Sequence, residues 1–313
     1  MKHNIKITAI LLGMFLIAQF IGLFVTSQYI PEKQKIYDNK TGNLSENYLE
    51  INKIPYGMHP EENEKPGFFN IVISFIIAIS LILIIMKYKM KWVIKSFFFI
   101  IITLALAISF NAILKNYIYN STIISMAIAL FLSSFKIFRP HFILHNLTEL
   151  FIYPGIAPIF VMIFNPATII IMLILISVYD IWAVWHSGIM QKMAKFQIEE
   201  AGIFGGFFIP YLTKELKAKI ALLKKSKSNK KHKIKVSLAM LGGGDVIFPI
   251  ITAGVFLKYF GFSSAFAVIL GAFAGLLFLL FVSQKKKFYP AMPFITAGIF
   301  FGLMVWARFN FVI

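Results

Sequence analysis

The chain of 313 residues contains no cysteine. This removes a disulfide framework, a thiol nucleophile and any thiolate metal site from consideration. Charge is scarce too, at 14% of residues, and acid is scarcer still: 13 Asp and Glu stand against 31 Lys and Arg. Short segments of alternating hydropathy are missing, which argues against a membrane β-barrel. What fills the chain is hydrophobic, 59% of residues, with a mean hydropathy of +0.79. These residues fall into runs of about 20, the length of helix that crosses a hydrocarbon core of roughly 30 Å. The composition is that of an all-α polytopic membrane protein. A net charge of +18 raises nucleic acid as a partner. The lysines, however, lie in short connectors between apolar runs, where they orient the chain in a bilayer, so no nucleic acid is expected.

Nine spans follow from the runs: about Ile7–Thr26, Phe68–Met86, Trp92–Leu114, Tyr119–Ser134, Phe142–Phe164, Ala167–Trp185, Val236–Leu257, Ser263–Val282 and Pro290–Arg308. The first follows a basic start, as a signal peptide would, but it is long for one and no small-residue cleavage site stands out. It reads as a retained helix. The polar stretch from Ser27 to Gly67 carries seven acids, five lysines and four prolines, and reads as an extracytoplasmic loop with a short interfacial helix. Pro154 and Pro158 interrupt span five. The connectors after spans two, four, six and eight are basic, and those after the odd spans are not. The positive-inside rule then places the N-terminus in the cytoplasm and the C-terminus outside. Three parts result: 1–186 with six helices, a basic cytoplasmic loop at 187–235, and 236–313 with three helices. In the loop, Gly188–Ala201 has the pattern of a surface amphipathic helix, and the basic tract Lys224–Lys235 suits contact with anionic lipid headgroups.

Only three acids fall inside spans: Glu149, Asp180 and Asp245. An ionisable group in hydrocarbon is expensive and by default marks function. Counted at 1.5 Å per residue, Asp180 lies about 10 Å and Asp245 about 14 Å from the cytoplasmic side. Their helices are consecutive and antiparallel, so the two carboxylates can meet at similar depth. Two carboxylates in contact tend to share one proton, leaving a base and an acid to activate a water against a peptide carbonyl. Competing readings are a helix–helix hydrogen bond and the ion pathway of a transporter. Glu149, close to the cytoplasmic end of its span, is expected to snorkel or to serve structure. Gly242, Gly243 and Gly244 beside Asp245 give clearance for a backbone, or tight helix packing. Tyr289-Pro290-Ala291-Met292-Pro293 is poor in amide donors; it either shapes a pocket or simply starts a helix.

Tyr179-Asp180, Gly242-Gly243-Gly244-Asp245 and Pro290-Ala291-Met292, in this order on spans six, seven and nine, resemble the motifs of the presenilin and signal peptide peptidase intramembrane aspartyl proteases, most closely the archaeal homologues. Met292 stands where the family has leucine. The resemblance implies a presenilin-like fold of nine helices, an intramembrane aspartic endopeptidase, and Asp180 and Asp245 as its catalytic pair. It implies that Tyr179, Gly242, Gly243, Gly244, Pro290, Ala291, Met292 and Pro293 shape the active site or receive substrate. The implied substrates are transmembrane helical proteins of a single span, or signal peptides, cut after local unwinding. Neither metal nor cofactor is implied. The implied location is the plasma membrane of a prokaryote. Prepilin peptidases share a similar aspartate, but many carry a cysteine cluster that is absent here. A transporter using the same aspartates remains the alternative.

Overall fold

The computed structural model describes residues 5–31, 33–37, 44–48, 53–58, 67–88, 90–139, 141–187, 205–211, 237–283 and 289–310. Among them are nine helices of 17 to 24 residues. These are α1 (Ile5–Ser27), α2 (Phe68–Lys87), α3 (Lys91–Leu114), α4 (Ser121–Phe138), α5 (Phe142–Ile163), α6 (Pro166–Trp182), α7 (Gly243–Phe260), α8 (Phe262–Val282) and α9 (Met292–Asn310). Eight are long and apolar enough to cross a membrane by length and composition; α2 has 20 residues. The described residues also hold two antiparallel strand pairs: β1 (Lys33–Tyr37) with β2 (Leu44–Tyr48), and β3 (Gly206–Tyr211) with β4 (Ser237–Gly242).

The first apolar run belongs to the centre of the bundle. α1 packs against α5, α7 and α8, and buries Phe15, Ala18, Leu23 and Val25. α7 closes on α1 and α5 through Gly254, where an added Cβ would lie 2.6 Å from Val161 and 2.8 Å from Thr26. α8 and α9 meet backbone to backbone: a Cβ on Gly298 would lie 2.9 Å from the Gly275 amide nitrogen. Small residues at such crossings let helices gain dispersion contacts where lipid gives no hydrophobic drive. On α2, Ile73, Ile76, Ile77, Leu81 and Ile84 are exposed, while Ile71 is buried against the core.

Three expectations need correction. α5 is continuous through Pro154 and Pro158. Each proline removes one helical donor, and the tight approach of Gly155 to the Ala105 backbone of α3 helps hold the helix in place. The described part of the first polar loop holds a strand pair, not an interfacial helix, with Lys35 opposite Glu46 in its register. Span seven does not begin at Val236: residues 237–242 are strand, and the helix starts at Gly243. Ser237–Gly242 finds its backbone partners in β3 instead, and the helix starts inside the glycine run, with Gly243 and Gly244 in its first turn. Of the two readings of Glu149, snorkelling or structure, the buried ion pair described below fits the structural one. The expected surface helix Gly188–Ala201, the tract Lys224–Lys235 and the charges Lys285, Lys286 and Lys287 lie outside the described residues.

Candidate active site

α6 starts at a capping box. The Asn165 side chain accepts from the Thr168 amide at 2.9 Å, the Thr168 hydroxyl accepts from the Asn165 amide at 2.9 Å, and Pro166 takes the first helical position. The helix delivers Asp180 two residues before its last residue, Trp182, and continues as a wider π-helical turn, Ala183–Ser187. Such turns are frequent at functional sites. Asp180 is buried at 7% exposure. Tyr179, next to it, lies on another face: it is 42% exposed and its ring sits 6.2 Å from that of Trp182.

Asp245 is the third residue of α7, close behind β4. It is buried, α6 packs directly on α7, and Asp180 lies within electrostatic reach of Asp245. The two span acids thus lie on packed helices within electrostatic reach of one another. A carboxylate in the first turn of a helix meets amides without helical partners and the positive end of the dipole. Asp245 has this position on α7. Asp180 gains the same from α9, because its Oδ2 accepts from the Met292 amide at 3.0 Å, and the Ala291 amide faces the same carboxylate. Two helix starts therefore converge on two acids. Pro290 and Pro293 have no amide hydrogen, so the donors left between them, Ala291 and Met292, are directed at Asp180. The segment begins α9 and turns its amides toward Asp180.

The three glycines differ. A Cβ on Gly242 would lie 3.1 Å from Asp245 Oδ2, so the carboxylate folds over this residue. A Cβ on Gly243 would lie 2.7 Å from the Tyr153 hydroxyl. Gly244 is exposed, with nothing within 4 Å of its Cβ direction. Packing explains Gly243, and clearance beside Asp245 describes Gly244.

Several supporting residues escaped the reading of the sequence. Gln19, fully buried on α1, donates to the Val246 carbonyl at 3.0 Å, next to Asp245. A lone glutamine in an apolar span was the available signal. Ser177 on α6 donates to Thr296 on α9 at 2.9 Å. Glu149 is 2% exposed and binds Lys136 Nζ at 2.6 Å. Lys136, counted above as a connector charge, is likewise buried at 6% in the last turn of α4. Burial of an unpaired acid is costly enough that a lysine within reach is drawn in with it. Among the described residues no three His, Cys, Asp or Glu side chains cluster as a metal site.

The comparisons agree with this geometry. A family model described as signal-peptide peptidase, presenilin aspartyl protease matches residues 49–312. Two solved structures of a presenilin family intramembrane aspartate protease, in C222 and P2 space groups, are similar in fold. Their TM-scores are 0.59 and 0.58 at 16% identity, covering 97% and 96% of this chain and 99% and 97% of theirs. No curated protein matches by sequence. The family match favours a protease over a transporter. Since that model covers well over half of the chain, the protein belongs to the signal-peptide peptidase and presenilin aspartyl protease family, and is an integral, multi-pass intramembrane aspartic endopeptidase.

Proposed function

We propose that Asp180 and Asp245 are the catalytic pair. The observation that carries this is their convergence, both buried, on packed helices, with the Met292 amide on Asp180 and the open Gly244 beside Asp245. Two carboxylates that meet hold one proton between them at lower free energy than two negative charges. The ionised one takes a proton from a water, which attacks the scissile carbonyl carbon. The protonated one hands its proton to the carbonyl oxygen. Collapse of the tetrahedral intermediate returns a proton to the nitrogen that leaves as an amine.

A helical substrate hides its carbonyls in its own hydrogen bonds, so it must unwind before attack. Gly244 and the segment Pro290, Ala291, Met292 and Pro293 offer room and shape for the extended piece; Tyr179 stands on the outer side of the same turn. Substrates of this kind are single-span helical proteins or signal peptides in the plasma membrane of a prokaryote. The alternation of basic connectors supports a cytoplasmic N-terminus. The division into 1–186, 187–235 and 236–313 puts one aspartate in each flanking part, with the basic loop meeting anionic lipid.

Asp180→Asn and Asp245→Asn should each slow cleavage of a transmembrane peptide in detergent on the order of 10²–10⁴-fold, the range of a lost acid or base. Full cleavage by either variant would show that the chemistry lies elsewhere.

A further inference from the structure

His145, Glu149 and Tyr153 recur every four residues along α5 and so form one stripe. All three are buried. The stripe faces the β3–β4 pair and the start of α7. His145 Nε2 lies 2.8 Å from the Gly206 carbonyl; since a carbonyl only accepts, this nitrogen carries the hydrogen. The Asn146 side chain, one residue on, grips Phe208 in both directions, donating to its carbonyl at 2.8 Å and accepting from its amide at 3.1 Å. Lys136 and Glu149 form an ion pair at 2.6 Å, and Glu149 also lies 3.5 Å from His145 Nε2. Tyr153 meets Gly243 and packs edge-on to Phe207 at 5.9 Å.

The strand that is gripped leads to the site. Gly206 pairs with Gly242 and Phe208 with Met240, and the Gly243 amide donates to the Gly205 carbonyl at 3.3 Å. Gly242 is three residues from Asp245. The three bonds from α5 to β3 are thus one strand away from the glycine run. The start of α7 is glycine-rich and has little stiffness of its own. Its direction depends on what holds β4.

The geometry points to His145 and Asn146 as positioning residues: they anchor β3, and through it set the approach of Asp245 to Asp180, with the Lys136–Glu149 pair holding His145 in register. This rests on the reading of the two aspartates as the catalytic pair. Catalysis is sensitive to such placement, and a shift of about 1 Å can lower a rate on the order of 100-fold.

The test measures kcat and KM on a transmembrane peptide in detergent, per enzyme able to bind a statine-type transition-state analogue. Asn146→Ala and His145→Leu are expected to lower kcat on the order of 10-fold with KM nearly unchanged. His145→Gln keeps an N–H at the place of Nε2 and restores most of the loss. Wild-type kcat in Asn146→Ala and His145→Leu overturns the inference, as does a loss that vanishes when rates are counted per binding-competent enzyme, or a His145→Gln no better than His145→Leu. Asp180→Ala and Asp245→Ala are run alongside. Cleavage surviving in either removes the catalytic pair itself, and this inference with it; their inactivity beside an unaffected Asn146→Ala removes this inference alone.

Discussion

The cost of a charge in hydrocarbon makes the two site aspartates stand out, and the same scale of argument separates the glycines beside them. Tyr153 is buried against Phe207 and cannot yield easily to a methyl on Gly243. Gly243→Ala is therefore expected to lower stability by about 1–3 kcal/mol, as overpacking does, and to lower cleavage with it. Gly244→Ala should fold as well as the wild type or better, since alanine gains roughly 1 kcal/mol in a helix and its methyl points into open space. Its effect should fall on substrate, as a raised KM. Thermal unfolding in detergent and peptide kinetics separate the two variants, and wild-type kinetics in Gly244→Ala would remove the idea of clearance. Residues whose role is a single buried hydrogen bond were harder to read. Gln19 looks in sequence like any polar guest in an apolar run, because its partner, the Val246 carbonyl, lies 227 residues away.

At the scale of elements, helices were legible where apolar length decided them, and illegible where backbone partners did. Ser-Leu-Ala-Met-Leu-Gly at 237–242 is apolar enough to continue a helix or to form a strand. Its pairing with β3 decides, and β3 lies in the other part of the chain. The prolines of α5 misled for a related reason: local propensity marks a break, while packing on the Ala105 backbone favours continuity. Lys136 sits in a basic connector by sequence, and its buried place depends on Glu149, 13 residues on in α5. The α8–α9 crossing has its own consequence. α9 presents the Met292 amide to Asp180, and α8 fixes α9 through Gly271, Gly275 and Gly298. Gly298→Val puts a side chain where only backbone fits, so it should destabilise by at least about 1–3 kcal/mol and cut activity further than the unfolded fraction accounts for. Ala297→Leu, one position round to the exposed face, serves as the control. Equal activity in both variants would mean that α9 does not carry the site.

For the whole molecule the question is what holds the two aspartates together, the chain or the core. Residues 212–236 lie outside the described residues. The contacts between the parts on either side are extensive. α7 is packed by α1 and α5 from the first part and by α8 from the second, and α6 packs on α7 and α9. Gly22 lies against Ile250, Gly254 against Val161 and Thr26, and β3 pairs with β4 across the same gap. Each part alone would leave those faces to lipid, which cannot supply the missing hydrogen bonds to Val246 or to β4. The core therefore outweighs the covalent link in setting the site. Residues 1–223 and 224–313, co-expressed as separate pieces, should co-purify in mild detergent and cleave a transmembrane peptide at a rate of the same order as the intact chain. Asp180→Asn in the first piece or Asp245→Asn in the second should each silence the pair, because the piece that carries one acid lacks the other. Pieces that separate on an affinity column, or that stay together without cleaving, would show that the link itself sets the geometry.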